Sequence, residues 1–287
     1  MTRVACIGEA MIELAMDGAM AQVGVAGDTL NTAIYLRRCA PALQVEYVTR
    51  LGDDPFSQRI RAFIAGEGIG TDRVATVAGG TPGLYANTPD AAGERTFTYW
   101  RSASAARGLF GDGDFSALEG YDLLYLSGIS LAILPHSVRR ALLGWIRDSG
   151  AALAFDGNYR PRLWESAEAA REVTRAFWEV ARIALPSIDD ERALFGESAA
   201  EVERRWAGHP ATGALKRGAS GPMSIGEVVE QSYPPAPLVV DTTAAGDSFN
   251  GGYLAAILTG ASQAKALMAG HAMAAEVVQH RGAIIPR

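Results

Sequence analysis

The stretch DTTAAGDSFNGG, residues 241–252, decides how this chain is read. An apolar run at 238–240 enters it as a strand. A turn of small residues follows, and a long apolar helix over 246–258 leaves it. The first N–H groups of such a helix have no partner inside the helix, and they point the same way as its dipole. A turn of this kind binds anions. Ala244, Ala245 and Gly246 are small enough to let a phosphate reach the backbone. Asp247 then falls in the first helical turn, beside the anion. A carboxylate there repels a phosphate unless it has a task, and the natural one is to accept the proton of a hydroxyl attacking the phosphoryl group. Taken alone, the stretch fits equally an N-capping Asp ahead of an ordinary helix. It is not a Walker loop, because GxxxxGK[ST] is absent.

Outward from this point the chain alternates short β-rich runs with helical stretches. Strands are expected at 4–8, 45–50, 122–126, 151–155, 181–185 and 211–216. Helices are expected at 28–38 with Asp28 as N-cap, 55–66, 135–149, 167–180, 246–258 and 262–280. This alternation implies βαβ units and a largely parallel sheet. Three strand-like runs break it: 12–16, 84–87 and 95–101. The last two read as a hairpin turning at Pro89-Asp90 and Gly93. Antiparallel strands inserted into a parallel α/β domain, at about 11–17 and 83–102, suggest a lid over a site. The domain expectation is one unit over 1–287. The Pro-rich run at 233–237 reads as a loop.

Composition narrows the classes. With 48% hydrophobic and 20% charged residues, a chain of this length carries a sizeable core. The formal charge of -6 argues against a nucleic-acid binder that relies on neutralising phosphates. No apolar run approaches the length of a bilayer span, and the N-terminus reads as a strand rather than a signal peptide, so no membrane partner and a cytoplasmic location are expected. Cys6 and Cys39 form no CxxC pair and read as small hydrophobes, and the four histidines are scattered.

Residues 241–252 closely resemble the C-terminal signature of the ribokinase-like (PfkB) carbohydrate kinases, whose common form is DTxGAGD. The resemblance implies a Rossmann-like fold, a mostly parallel sheet flanked by helices with a small β-lid. It implies ATP and Mg²⁺, with a monovalent cation near the anion hole in many members. Asp247 is then the catalytic base, and Ala244, Ala245 and Gly246 form the anion hole. Ala244 stands where most of the family has glycine; an alanine needs a less unusual backbone angle, so the turn should survive. AGDTLNTA (26–33) resembles the segment that touches sugar hydroxyls, GDDPF (52–56) the GxDxxG segment, and KRGA (216–219) the strand end that lines the nucleotide site. That resemblance implies nucleotide contacts at Ser187, Lys216, Gly218, Ala219 and Gly246. Ser187-Ile188-Asp189-Asp190 takes the place of an NxxE motif linked to magnesium, which leaves Asp190 or Glu191 as metal candidates.

On the proposed hairpin, Tyr99 and Arg101 share one face and Trp100 takes the other. A phenol beside a guanidinium suits an oxygen-rich anion. Arg160 and Arg162 follow the strand at 151–155, at the end where open α/β sheets place ligands. IGEAMIEL, GDTLNTA, PGLY, GERTFTYWRSASAAR, NYRPRLW and RGAIIPR together resemble the 2-keto-3-deoxygluconate kinase branch of the family. This implies phosphorylation of that sugar acid at its 6-hydroxyl by ATP, with substrate contacts at Gly27, Asn31, Tyr85, Tyr99, Arg101, Arg160 and Asp247. Arg101 and Arg160 would share or compete for the carboxylate. The rivals are a kinase of fructose, ribose or 2-keto-3-deoxygalactonate, and a sugar-acid sensor without catalysis. A Rossmann dehydrogenase would need GxGxxG where Gly8-Glu9-Ala10 stands. Exposed lid edges suggest a homo-oligomer formed through the lid.

Overall fold

Alternate residues of the inner strands enter two different cores. In a computed structural model that describes residues 1–89 and 95–287, β1 (Arg3–Ile7) sends Ala5 and Ile7 to one side and Val4 and Cys6 to the other. A sheet buried on both faces in this way needs helices on both faces. Numbered along the chain, β2 (Met11–Asp17) and β3 (Met20–Ala26) follow, then α1 (Asp28–Cys39), β4 (Gln44–Leu51), α2 (Pro55–Gly66) and β5 (Val74–Thr76). Next come β6 (Gly83–Pro89), β7 (Arg95–Trp100), β8 (Leu123–Ser127), α3 (Gly128–Ile133), α4 (His136–Ser149) and β9 (Leu153–Asp156). The last third holds α5 (Ala167–Val180), β10 (Ile183–Ala184), α6 (Ile188–Phe195), α7 (Ala199–Ala207), β11 (Thr212–Leu215), β12 (Met223–Ile225), α8 (Ala245–Leu258) and α9 (Gln263–Val277).

The main sheet runs β12-β11-β10-β9-β8-β1-β4-β5, parallel except for β12. A second sheet, β3-β2-β6-β7, is the lid expected from the broken rhythm. Its third and fourth strands pair antiparallel with Tyr85 opposite Tyr99. Most of the turn read between them, Asp90 to Gly93, lies outside the described residues. The strand β3 was not expected, although Asp17-Gly18 precedes it and Gly18 adopts φ 59 at the first position of a two-residue hairpin loop.

Helix α8 is held by close backbone packing. A Cβ on Gly251 would meet the Tyr35 Cβ at 2.5 Å, and one on Gly252 the Ala269 carbonyl oxygen at 2.9 Å. Contact this close fixes the middle of α8 against α1 and α9. Three expectations need correction. Residues 238–240 form no strand; Leu238 and Val239 are 59% and 60% exposed, and the run gains only the bond from the Val240 N–H to the Val278 carbonyl. Asp28 is not an N-cap: Gly27 holds that position, and the Asp28 side chain turns elsewhere. Ala244 does not relax the turn but sits in the left-handed region at φ 60. No described helix is long and apolar enough to cross a membrane.

Candidate active site

The signature turn is tied down by Asp241. One oxygen of its carboxylate accepts the Thr243 N–H at 3.0 Å and the Thr243 hydroxyl at 2.7 Å, and the other accepts the Gly282 N–H at 2.7 Å. This local bonding holds Ala244 left-handed as the N-cap of α8, with no side chain capping the helix. The Ala245 N–H bonds back to the Thr242 carbonyl at 3.2 Å. Beyond it, the first-turn N–H groups of Gly246 and Asp247 face outward as helix geometry dictates.

Asp247 is half-buried at this tip. Its Oδ2 accepts the Asn31 amide at 2.8 Å, and its carbonyl accepts the Thr32 hydroxyl at 3.1 Å. Burial, then the neighbouring charges of Asp28 and Asp156, push its carboxyl up to about 8, against the pull of Asn31 and Lys216. Burial also raises Asp28, the other member of this interacting pair. Beneath the tip, the Lys216 ammonium lies 2.8 Å from Asp156 and 3.1 Å from the Asn250 amide oxygen. It stands 3.7 Å from where a Gly246 Cβ would be. The Asn250 amide closes the set, donating to Asp156 at 2.6 Å and to the Tyr125 hydroxyl at 3.0 Å.

On one side of the tip lies a cavity of about 430 Å³. Lys216, Ala245 and Gly246 form its polar end, and Gly218, Ala219, Pro235, Val239, Phe249 and Ala275 its mostly apolar walls. Its size and lining suit a nucleotide base with phosphates at the polar end. Ser187 is not among the lining residues; it precedes α6 and its backbone bridges to Lys216.

On the other side the lid closes over α8. Tyr85 is buried, and its phenol is pushed up by burial and by Glu13 on the adjacent strand. Tyr99 is half-exposed with its ring centroid 5.6 Å from that of Tyr85, and the Arg101 guanidinium carbon lies 5.9 Å from the Tyr99 ring. Arg101 is buried in an ion pair with Glu9, which is 1% exposed. The Asn31 Oδ1, Glu9 Oε1 and Arg101 Nε atoms are buried without a hydrogen-bond partner. A polar group left so in a native fold calls for a reason, and ligand binding is one. Gly27 is obligatory, since a Cβ there would fall 2.2 Å from the Glu9 carbonyl oxygen.

The arginine expectation divides. Arg101 pairs with Glu9 under the lid, whereas Arg160 is half-exposed and bonds to Asp190 at 3.2 Å. The metal candidates divide too. Glu191 is sealed in the core by Arg205 at 2.8 Å and by the indole N–H groups of Trp178 and Trp206, both at 3.3 Å. That leaves it no face toward the site. Asp190 stays part-exposed. Among the described residues, no group of three acidic, His or Cys side chains could hold a metal. Glu9, Asp28, Asp156 and Asn250 were not read as site residues. The signal was present for Asp28, a carboxylate between Gly27 and Asn31.

An apolar base-sized cavity and a lidded polar cleft that share one helix start are what a phosphotransferase acting on a small hydroxylated acceptor needs. The chain belongs to the pfkB family of carbohydrate kinases, whose family model matches residues 1–287. It is 43% identical over 301 residues to the 2-dehydro-3-deoxygluconokinase of Escherichia coli (strain K12), covering 99% of this chain and 97% of that protein. It is 44% identical to that of Dickeya dadantii (strain 3937), covering 99% and 96%. Among solved structures it resembles a PfkB protein from Polaromonas sp. JS666, with TM-score 0.82 at 27% identity over 97% of this chain and 96% of that one. It shares its fold with a Pyrococcus horikoshii sugar kinase in complex with ATP, with TM-score 0.79 at 21% identity, covering 98% and 93%.

Proposed function

We propose that this chain transfers the γ-phosphoryl group of ATP to the 6-hydroxyl of 2-dehydro-3-deoxygluconate (2-keto-3-deoxygluconate), giving the 6-phosphate and ADP. One observation carries the choice of substrate: the near full-length identity of 43% to a curated kinase of that name. The site supports the chemistry. Asp247, raised by burial and by its acidic neighbours, takes the hydroxyl proton as the oxygen attacks phosphorus. The N–H groups at the α8 tip and the Lys216 ammonium face the charge gathering on the phosphoryl oxygens. Phosphoryl transfer depends mainly on such positioning and electrostatics. Under the lid, Tyr85, Tyr99, Asn31 and Arg101 surround the sugar acid, with Arg101 on its carboxylate. A closed lid excludes water and so suppresses ATP hydrolysis.

Mg²⁺ fits this donor set only in part. It is bound by one or two carboxylates plus substrate phosphates, and Asp190, once released by Arg160, could supply one. The ion would neutralise the phosphates. The exposed Trp100, on the opposite face of the outer lid strand from Tyr99, is our candidate surface for a second copy of the chain, which sedimentation would test.

The test is ADP release from ATP with 2-dehydro-3-deoxygluconate, its carbon-4 epimer, gluconate, fructose and ribose in parallel. A kcat/KM for the first at least about tenfold above fructose and ribose is the expected result. Preference for a neutral sugar would remove the role given to Arg101, and no turnover with any of them would overturn the reading.

A further inference from the structure

A buried line of hydrogen bonds runs between the two halves of the site, and its middle link, Tyr125 on β8, has no part in the chemistry above. The Asp247 carbonyl accepts the Thr32 hydroxyl at 3.1 Å, and Thr32 lies 3.1 Å from the Tyr125 hydroxyl. The Asn250 amide reaches that phenol from the other side at 3.0 Å. Asn250 then meets Asp156 and Lys216, and Lys216 stands at the polar end of the nucleotide cavity. Thr32, Tyr125 and Asn250 are all buried. Asn250 follows Asp247 by three residues on α8, so the two share a face of the helix.

Each proton in this line has one place to go. A carbonyl only accepts, so Thr32 gives its single proton to Asp247. Thr32 must therefore accept from Tyr125, and Tyr125, having donated, accepts from Asn250. The Asn250 amide cannot be reversed, because its oxygen would then face the Asp156 carboxylate and its NH2 group the Lys216 ammonium. The phenol keeps its proton: burial, then the charges of Asp156 and Asp247, push it well above its ordinary value. The line thus runs one way, from Lys216 to Asp247. Tyr125 joins α8, through Asn250, to α1, through Thr32, and it does so from an inner strand of the main sheet.

We infer that Tyr125 is a positioning residue for phosphoryl transfer: its hydroxyl, anchored on β8, fixes the first turn of α8 through Thr32 and Asn250 and so sets Asp247 against Lys216 and the transferred group. It acts through these partners and not on the reactants. The inference deepens the reaction proposed above and rests on Asp247 as its base. Removing the phenol oxygen leaves an Asn250 N–H buried without its acceptor and the Thr32 hydroxyl without its donor. The first turn of α8 then loses its register with the sheet. Asn31, Arg101 and the cavity walls are untouched, so the loss falls on the rate of transfer and not on binding.

The test is steady-state kinetics with ATP and 2-dehydro-3-deoxygluconate. The native chain and Asp247→Asn are compared with Tyr125→Phe, Thr32→Val, Thr32→Ser and the double variant Tyr125→Phe with Thr32→Val. Tyr125→Phe is expected to lower kcat roughly tenfold or more and to leave KM for both substrates within about threefold. Thr32→Val, which removes the next link, should lower kcat by as much, whereas Thr32→Ser, which keeps the hydroxyl, should stay within about threefold of the native kcat. The double variant should lose less than the product of the two single losses, because both act through one line. Native kcat in Tyr125→Phe, fully multiplying losses in the double variant, or a loss that falls on KM would overturn the assignment. If Tyr125→Phe does not fold, the Thr32 pair decides, and equal kcat in Thr32→Val and Thr32→Ser overturns it. A native chain inactive on the sugar acid, or normal turnover in Asp247→Asn, would instead overturn the reaction it rests on, and this assignment with it.

Discussion

Removing either member of the Glu9–Arg101 pair should destabilise the protein far more than a surface ion pair would. Glu9 lies just beyond β1 and Arg101 just beyond β7, so the pair joins the main sheet to the lid. Glu9 is 1% exposed and Arg101 8%. Each already has one buried atom without a partner, so the Arg101 Nη2–Glu9 Oε2 contact is much of what compensates their burial. The site has little room to relax, because a Cβ on the neighbouring Gly83 would fall 2.6 Å from the Glu9 Oε1. Leaving one charge buried and unpaired costs about 3–5 kcal/mol. Glu9→Ala and Arg101→Ala should each lose stability of that order. The double variant should lose less than the sum, with a coupling of about 2–3 kcal/mol, because no lone charge remains. The assay is urea unfolding of the four proteins, followed in parallel by tryptophan fluorescence and far-ultraviolet circular dichroism to check that the transitions coincide. Losses below about 1 kcal/mol in both single variants, or additive losses, would refute the reasoning, since that is how a solvated pair behaves.

Two further perturbations address the α8 tip. Asp247→Asn should lower kcat by roughly a hundredfold or more and leave the sugar-acid KM within a few-fold; near-normal turnover would remove it as the base. The native kcat/KM should rise with pH through about 8, because the base works only when ionised and burial raises it from the ordinary 3.8. The sign for stability is opposite: ionising a carboxyl whose folded value is raised costs the folded state, so native stability should fall as pH climbs from about 4 to about 8. Melting of Asp247→Asn that lacks this decline would confirm the source. Ala244→Gly should stabilise the fold by about 0.5–1 kcal/mol, since an alanine at φ 60 carries left-handed strain that glycine does not; unfolding at or below the native midpoint would count against that account.

The parts legible in the sequence were those whose local chemistry and tertiary context agree. The bounds of α2 and α5 follow from Asp54 and Ser166, which cap them, with Pro55 opening the first. The lid betrayed itself by breaking the βαβ rhythm. The failures came where one signal served two purposes. A short acidic residue before an apolar helix reads as a cap, but the extended Gly27 takes that position and the Asp28 side chain accepts the Asn158 amide instead. The apolar run 238–240 reads as a buried strand, yet Val239 lines the wall of the cavity and the run stays largely exposed. Acidic residues at 189–191 look equivalent as metal ligands, but only a folded chain tells Asp190 at the rim from Glu191 under two tryptophans.

The strain at the α8 tip has a common origin. To present bare N–H groups to a phosphate, the helix must start without a side-chain cap, and the left-handed Ala244 provides that start at a cost of about 1–2 kcal/mol. To deprotonate a hydroxyl beside that phosphate, a carboxylate must sit where negative charge is least welcome. Asp156 and Asp247 face one ammonium, Lys216, and the Asp28 carboxylate adds a further negative charge beside Asp247. Such a site is tense when empty and relieved by a ligand that brings hydroxyl donors to the carboxylates and phosphates to the N–H groups. The close glycine contacts of α8 with α1 and α9 counter that tension. They hold the body of the helix while Asn31 and Thr32 bond its first turn, so the relief comes from the ligand rather than from movement of the helix.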